Sequence, residues 1–364
     1  MIRLTIPDTG PEELEAIREV LATGMLVQGE RVAAFEGGLA ERLGTPHAVA
    51  CSSGTAALHL ALLALDIGPG DEVIVPAFTY PATGNVVALC GATPVLVDVL
   101  PDTFAIDPEQ VERHLSPRTR AILPVHPFGL SADFEPLLAL AESSGAVLVE
   151  DAACALGATW HDRPCGTLGR LGCFSFHPRK AITTAEGGLV ATADTELAER
   201  VRCLRNHGLV RREGHVDFVE AGLNYRMSEV HAAIGLVQLG KLDAAIADRR
   251  RVAAAYRATL ADLPWLALPA EPPGRVHVYQ SYVVVVREGR DRDAVIAHLR
   301  AGGAEATIGT YALHLLDFYA RTCGLRPDDL PVARRLYERT VSLPIYRGMP
   351  DEAIARVAEL LHDA

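Results

Sequence analysis

From about residue 45 to 195, short β-branched runs alternate with helical patterns, and this alternation restricts the possible folds more than any other feature. The runs are DEVIVPAF, TPVLVDV, RAILPVH, AVLVEDA, GCFSF and GGLVATAD. Apolar strands separated by helices predict a largely parallel sheet covered on both faces, an α/β architecture. GTAALHLALLALDIG reads as a helix ended by Gly68, and SADFEPLLALAESSG as a helix capped by Ser131 or Asp133. After Asn224 a long stretch, 228–263, keeps helical spacing until PAEPPGR breaks it. The rest of the chain reads as strand, helix, strand, helix, helix, a smaller α+β domain. A chain of 364 residues is long for one core. The expected domains are 1–245 and 246–364.

Composition removes several classes of function. Hydrophobic residues at 49% and charged residues at 22% are ordinary globular usage. A net charge of −12 without a basic block opposes nucleic acid as a partner. Cys51, Cys90, Cys154, Cys165, Cys173, Cys203 and Cys323 are odd in number, scattered and without zinc spacing, so they read as reduced thiols with no metal. The start MIRLTIPDTGPEELEAI has no leader pattern, and no uncharged apolar run reaches the ~18 residues of a membrane span. A cytoplasmic protein that does not bind membranes is expected.

Of 34 basic residues only Lys180 and Lys241 are lysine, the other 32 being arginine. Arginine serves for a surface charge or a phosphate contact, but it stays protonated and cannot form an imine. Lys180 is therefore either one of two accidental survivors or an amine kept for chemistry. It follows GCFSF, and ligands of open parallel sheets sit at the carboxyl ends of strands. Three other features share that edge. CSSGTAALHLAL opens a helix with small residues, where free amides and the hydroxyls of Ser52, Ser53 and Thr55 suit a phosphate or simply cap the helix. Asp151 ends an apolar strand, where a buried carboxylate needs a cation such as a protonated pyridine nitrogen, or serves as a turn cap. Tyr80 follows another strand, placed to lie on a flat ring or to pack in the core. Amine, acid, aromatic and phosphate cradle together describe a pyridoxal phosphate site.

These segments, with LVQGERVAAFE, VEDAACALGA, SFHPRKAITTAEGG, RNHGL and GLNYRMSEVHAAIG, resemble the nucleotide-sugar aminotransferases of the DegT and StrS family, nearly end to end. The resemblance implies a fold type I pyridoxal phosphate enzyme with a mainly parallel seven-stranded sheet, working as a homodimer with active sites at the subunit interface. It implies that Lys180 holds the cofactor as a Schiff base and acts as proton carrier, and that Asp151 pairs with the ring nitrogen. Tyr80 would stack on the ring, Gly54, Thr55 and Ser175 would bind the phosphate, and Asn224 would reach it from the partner subunit. The amino donor would be glutamate, the acceptor a keto-sugar on a nucleoside diphosphate, with pyridoxamine phosphate between the two half-reactions. Three positions depart from the commoner pattern: Cys154, where many members have glutamine or histidine beside the cofactor, Ala185 for the first glycine of TGEGG, and Arg179. Arg226 and Arg179 are candidates for the diphosphate, and Tyr311 and His314 for the sugar pocket. A related sugar dehydratase would carry histidine in place of Lys180. Another fold type I enzyme or a non-catalytic regulatory relative are the remaining alternatives.

Overall fold

A computed structural model describes residues 1–364. The alternating region forms one sheet of seven strands: His47–Cys51 (β1), Glu72–Pro76 (β2), Thr93–Val97 (β3), Thr119–Ile122 (β4), Val147–Asp151 (β5), Leu171–Ser175 (β6) and Gly188–Thr192 (β7). Their order is β1-β7-β6-β5-β4-β2-β3. Only β7 runs against its neighbours. Every residue of β2 and β7 is buried, as continuous apolar runs require when helices cover both faces. β1, HAVAC, is absent from the six runs read in the sequence, because its alanines lack the β-branched signal.

Two helix ends differ from the sequence reading. The helix Gly54–Ala64 stops before Gly68: Asp66 takes the left-handed conformation at φ 57°. The amides of Asp66 and Ile67 then close back on Leu63 and Leu62 at 3.0 and 3.1 Å, the double bond of a Schellman end. The helix Phe134–Ser144 has Asp133 at its cap position, but that side chain makes no capping bond and instead meets Arg275 at 2.7 Å. Ser131 donates to the Ala132 carbonyl and caps nothing.

The helix Glu229–Leu260 starts on Ser228, whose hydroxyl accepts from the His231 amide at 3.2 Å. Its length and apolar composition would suffice to cross a membrane. Here it packs against the helices Pro11–Thr23, Glu30–Leu43 and Asp351–His362. Gln238, buried on it, donates to Glu13 Oε1 at 2.8 Å, a polar pairing that fixes the contact with the first helix. Near its start Ala232 and Leu242 join the core under β1 and β7, while Val252, Tyr256 and Leu260 belong to a C-terminal core. The two cores therefore share this helix.

The C-terminal sheet comprises Leu266–Ala267 (β8), Tyr282–Val286 (β9), Thr307–Ile308 (β10) and Thr340–Leu343 (β11), antiparallel in the order β8-β9-β11-β10. The sequence reading lacks β11, although it lies inside the sheet. TVSL follows the helix Pro331–Arg339 with no turn residue to announce it. Three helices, not two, close the chain: Asp317–Cys323, Pro331–Arg339 and Asp351–His362. Ile2 and Leu4 add backbone bonds to Gly303, Glu305 and Ile345, so the N-terminus lies with this smaller unit.

Candidate active site

Strand register brings the chemistry to one edge. Cys51 pairs with Gly188, which pairs with Ser175, and Asp151 stands opposite Cys173 on the next strand. The carboxyl ends of β1, β5 and β6 therefore share a rim with the start of the antiparallel β7. Gly54 opens its helix against this rim with no room for a side chain, since a Cβ there would lie 2.7 Å from Ser175 Cβ. Ser53 is committed to capping, accepting from the Ala56 amide at 3.1 Å, and the Ser52 amide donates to the Tyr225 carbonyl. That leaves the amides of Gly54 and Thr55, which precede the helix's own bonding ladder, and the exposed Thr55 side chain to face an anion.

The two lysines have opposite surroundings. Lys241 lies between Glu12 and Glu13 at 2.6 and 2.8 Å, and these bonds raise its pKa despite the opposing effect of burial. It is a structural cation. Lys180 meets no carboxylate: its Nζ lies 3.1 Å from the Cys154 sulfur, three residues past Asp151. Its position is set by a tight turn in which its amide donates to the His177 carbonyl at 2.8 Å. Gln280 holds the same turn from the C-terminal side, donating to the Arg179 carbonyl at 2.9 Å. An amine free of a carboxylate partner and only half-buried is what imine formation needs.

Strand alternation separates the acids of VED. Glu150 points to the far face and is fully buried, accepting from the amides of Gly166, Leu168 and Gly169 at 2.6 to 2.7 Å and from His126 Nε2 at 2.9 Å. The Ala132 amide donates to His126 Nδ1, which therefore carries a lone pair, so this histidine is neutral. Asp151 points to the site face, 5% exposed, and accepts from the Thr83 hydroxyl at 2.8 Å and the Ala153 amide at 3.1 Å. A carboxylate can accept about four hydrogen bonds. The open lone pairs of so buried a carboxylate suit a cationic N–H.

Thr83 is a site residue that sequence reasoning missed. Its one proton goes to Asp151, so it accepts from Thr79 at 3.1 Å, a chain of hydroxyls ending on the acid. Nothing in the spacing of FTYPAT signals this, because the contact spans 68 positions. Thr83→Val is expected to weaken cofactor binding by roughly tenfold, the scale of one charge-assisted hydrogen bond, and Thr83→Ser to restore it. Titration of the cofactor-free variants by absorbance measures both.

The other candidates divide. Tyr80 is exposed, and its ring meets Tyr311 edge to face at 6.3 Å, because Thr79 and Tyr311 pair as neighbouring strand residues. Both are available to a ligand. His314 is apart from them: it is buried, its Nε2 lies 3.2 Å from the Pro327 carbonyl, and burial lowers its pKa. Its Nδ1 is buried without a hydrogen-bond partner. Arg179 is exposed beside Lys180. Arg226 runs beside Cys51, and its guanidinium donates to Asn206 at 2.6 Å and meets no carboxylate. Asn224 is exposed two residues away, facing outward from its own chain. Ala185 takes φ 67°, the left-handed conformation that explains why a glycine suits that position.

A lysine free of a carboxylate partner, a buried acid, a helix start shaped by Gly54 and an exposed tyrosine offer the groups that a pyridoxal phosphate-dependent aminotransferase of fold type I would need. Comparison with known proteins agrees: residues 7–362 match the DegT/DnrJ/EryC1/StrS aminotransferase family, and the chain belongs to that family. It is 41% identical over 369 residues to GDP-perosamine synthase of Caulobacter vibrioides, covering 99% of this chain and 97% of that protein. The crystal structure of S. venezuelae DesV in complex with a ketimine intermediate is 38% identical, with a TM-score of 0.91 over 97% of this chain and 94% of the other. The PLP form of a putative sugar aminotransferase, Spr1654 of Streptococcus pneumoniae, is 29% identical, with a TM-score of 0.93 over 98% and 96%.

Proposed function

We propose that this enzyme transfers an amino group from L-glutamate to a keto-sugar carried on a nucleoside diphosphate, in amino-sugar or polysaccharide biosynthesis. The observation that carries the reading is Lys180, an amine without a carboxylate partner whose Nζ meets Cys154, three residues past the buried acid Asp151. Bound there, pyridoxal phosphate would take up the amino group in one half-reaction, release it in the other, and draw the electrons of the reacting carbon into its ring. Lys180 Nζ would hold the cofactor and then move the proton at the substrate carbon. Asp151, oriented by Thr83, would keep the ring nitrogen protonated. The amides of Gly54 and Thr55, with Ser175, would hold the phosphate, and Tyr80 would cover the ring face. Arg179, exposed at the rim, would meet the substrate's diphosphate.

We further assign the working form to a homodimer in the cytoplasm. Met25, Leu26 and Val27 in one run, and Val216, Phe218 and Val219 in another, are exposed large hydrophobics that a partner subunit would cover. Val216 and Phe218 lie on the hairpin formed by Leu209–Arg212 and His215–Phe218, close in sequence to the outward-facing Asn224. Covering this surface would carry Asn224 to the partner's phosphate site.

The name of the Caulobacter relative makes a GDP-linked keto-sugar the first acceptor to test. Purified enzyme given glutamate and a panel of keto-sugar nucleotides is expected to yield 2-oxoglutarate and one aminated nucleotide sugar, read by mass. Transamination of 2-oxo acids alone would contradict the sugar assignment.

A further inference from the structure

Cys154 is the one thiol of the chain placed against an amine. The Lys180 Nζ to Cys154 Sγ separation is 3.1 Å, and both side chains are only partly buried. The other cysteines differ: Cys51, Cys165, Cys173 and Cys203 are buried, and burial pushes the Cys51 thiol up to about 12. Cys90 and Cys323, though part-exposed, have no lysine beside them, because Lys241 is held by Glu12 and Glu13. The pair is also built to stay together. Gln280 and the His177 carbonyl fix the lysine turn, and the Ala153 amide on Asp151 fixes the turn before Cys154.

We propose that Cys154 and Lys180 form an oxidation-sensitive crosslink that closes the cofactor site when the lysine is free. Peroxide would oxidise the Cys154 thiol to a sulfenic acid, the O–O bond breaking, one oxygen going to sulfur and the other leaving as water with the thiol's proton. The neutral Lys180 amine then attacks the sulfur. An N–S bond forms, the S–O bond breaks, and the hydroxyl leaves as a second water with a proton from the amine. The sulfur is oxidised by two electrons, the peroxide is reduced by two, and the protein ends two hydrogens lighter. Lysine's flexible four-carbon stem can close the gap without moving the backbone. A thiol reductant reverses the step: one thiol attacks the sulfur and releases the amine, leaving a mixed disulfide on Cys154, and a second thiol attacks that disulfide, freeing the Cys154 thiol as the reductant becomes a disulfide. The consequence for the cofactor, though not the crosslink itself, rests on Lys180 being its attachment point: a lysine bonded to sulfur cannot hold pyridoxal phosphate, and a lysine holding it cannot reach the sulfur.

The test is peptide mass mapping of peroxide-treated protein, with and without saturating pyridoxal phosphate. In the cofactor-free protein a Cys154 peptide joined to a Lys180 peptide, lighter by two hydrogens than their sum, is expected. It is absent in Cys154→Ser and Cys154→Ala and disappears on thiol treatment. Cofactor rebinding is expected to fall in proportion to the linked fraction and to return with thiol. Recovery of Cys154 only as oxygen adducts, or unmodified, overturns the proposal. A link that forms equally in saturated protein leaves the crosslink standing and overturns the placement of the cofactor on Lys180, so the two readings fail separately.

Discussion

Lys180→Ala loses transamination and covalent cofactor attachment together, while the protein stays folded. The fold survives because Lys180 makes no ion pair, its one polar side-chain contact being the Cys154 sulfur. The activity does not survive, because no other amine replaces it. Lys241 is held between Glu12 and Glu13, and every other basic residue is an arginine, which cannot form an imine. A positioned general base alone supplies roughly 100- to 10,000-fold, and the attachment is lost in addition. Turnover with glutamate and the absorbance of the bound cofactor, measured on one preparation, check the prediction. Normal turnover by the pure variant would remove Lys180 from the chemistry.

Asp151→Asn separates electronics from binding. The carboxamide keeps the size of the acid, and its one oxygen can accept from the Ala153 amide while its NH2 donates to the Thr83 hydroxyl, so the cofactor remains bound through Lys180 and the phosphate cradle. What it lacks is the negative charge that favours a protonated ring nitrogen, and with it the electron sink. Turnover is expected to fall by on the order of a hundredfold or more, the scale of losing one preorganised electrostatic contact. Single-turnover rates with glutamate, compared with cofactor affinity, distinguish this outcome from a binding defect. Wild-type rates would mean that Asp151 is only a turn residue.

The central sheet was legible because both its faces are buried. Six of its strands are written as apolar runs, whereas β1, with its alanines, carries no such signal, and neither does β11 of the C-terminal sheet, four residues with no turn before them. Register then explains why Asp151, Ser175 and Gly54 meet, since each stands at the end or start of an element on one rim. What the sequence does not write is contact between distant side chains. Thr83 on Asp151, Gln280 on the Arg179 carbonyl and Cys154 on Lys180 join segments that only the folded chain brings together. His314, in the segment that resembles a pocket wall, is buried with its Nε2 3.2 Å from the Pro327 carbonyl, a placement the sequence does not signal.

Borohydride reduction of the cofactor-loaded protein, followed by peptide mapping, tests the central claim most directly, because the chain offers only Lys180 and Lys241 to a side-chain imine. One reduced pyridoxyl group on Lys180 and none on Lys241 is the predicted result. A pyridoxyl group on Lys241, or a cofactor that binds without any reducible link, would contradict it.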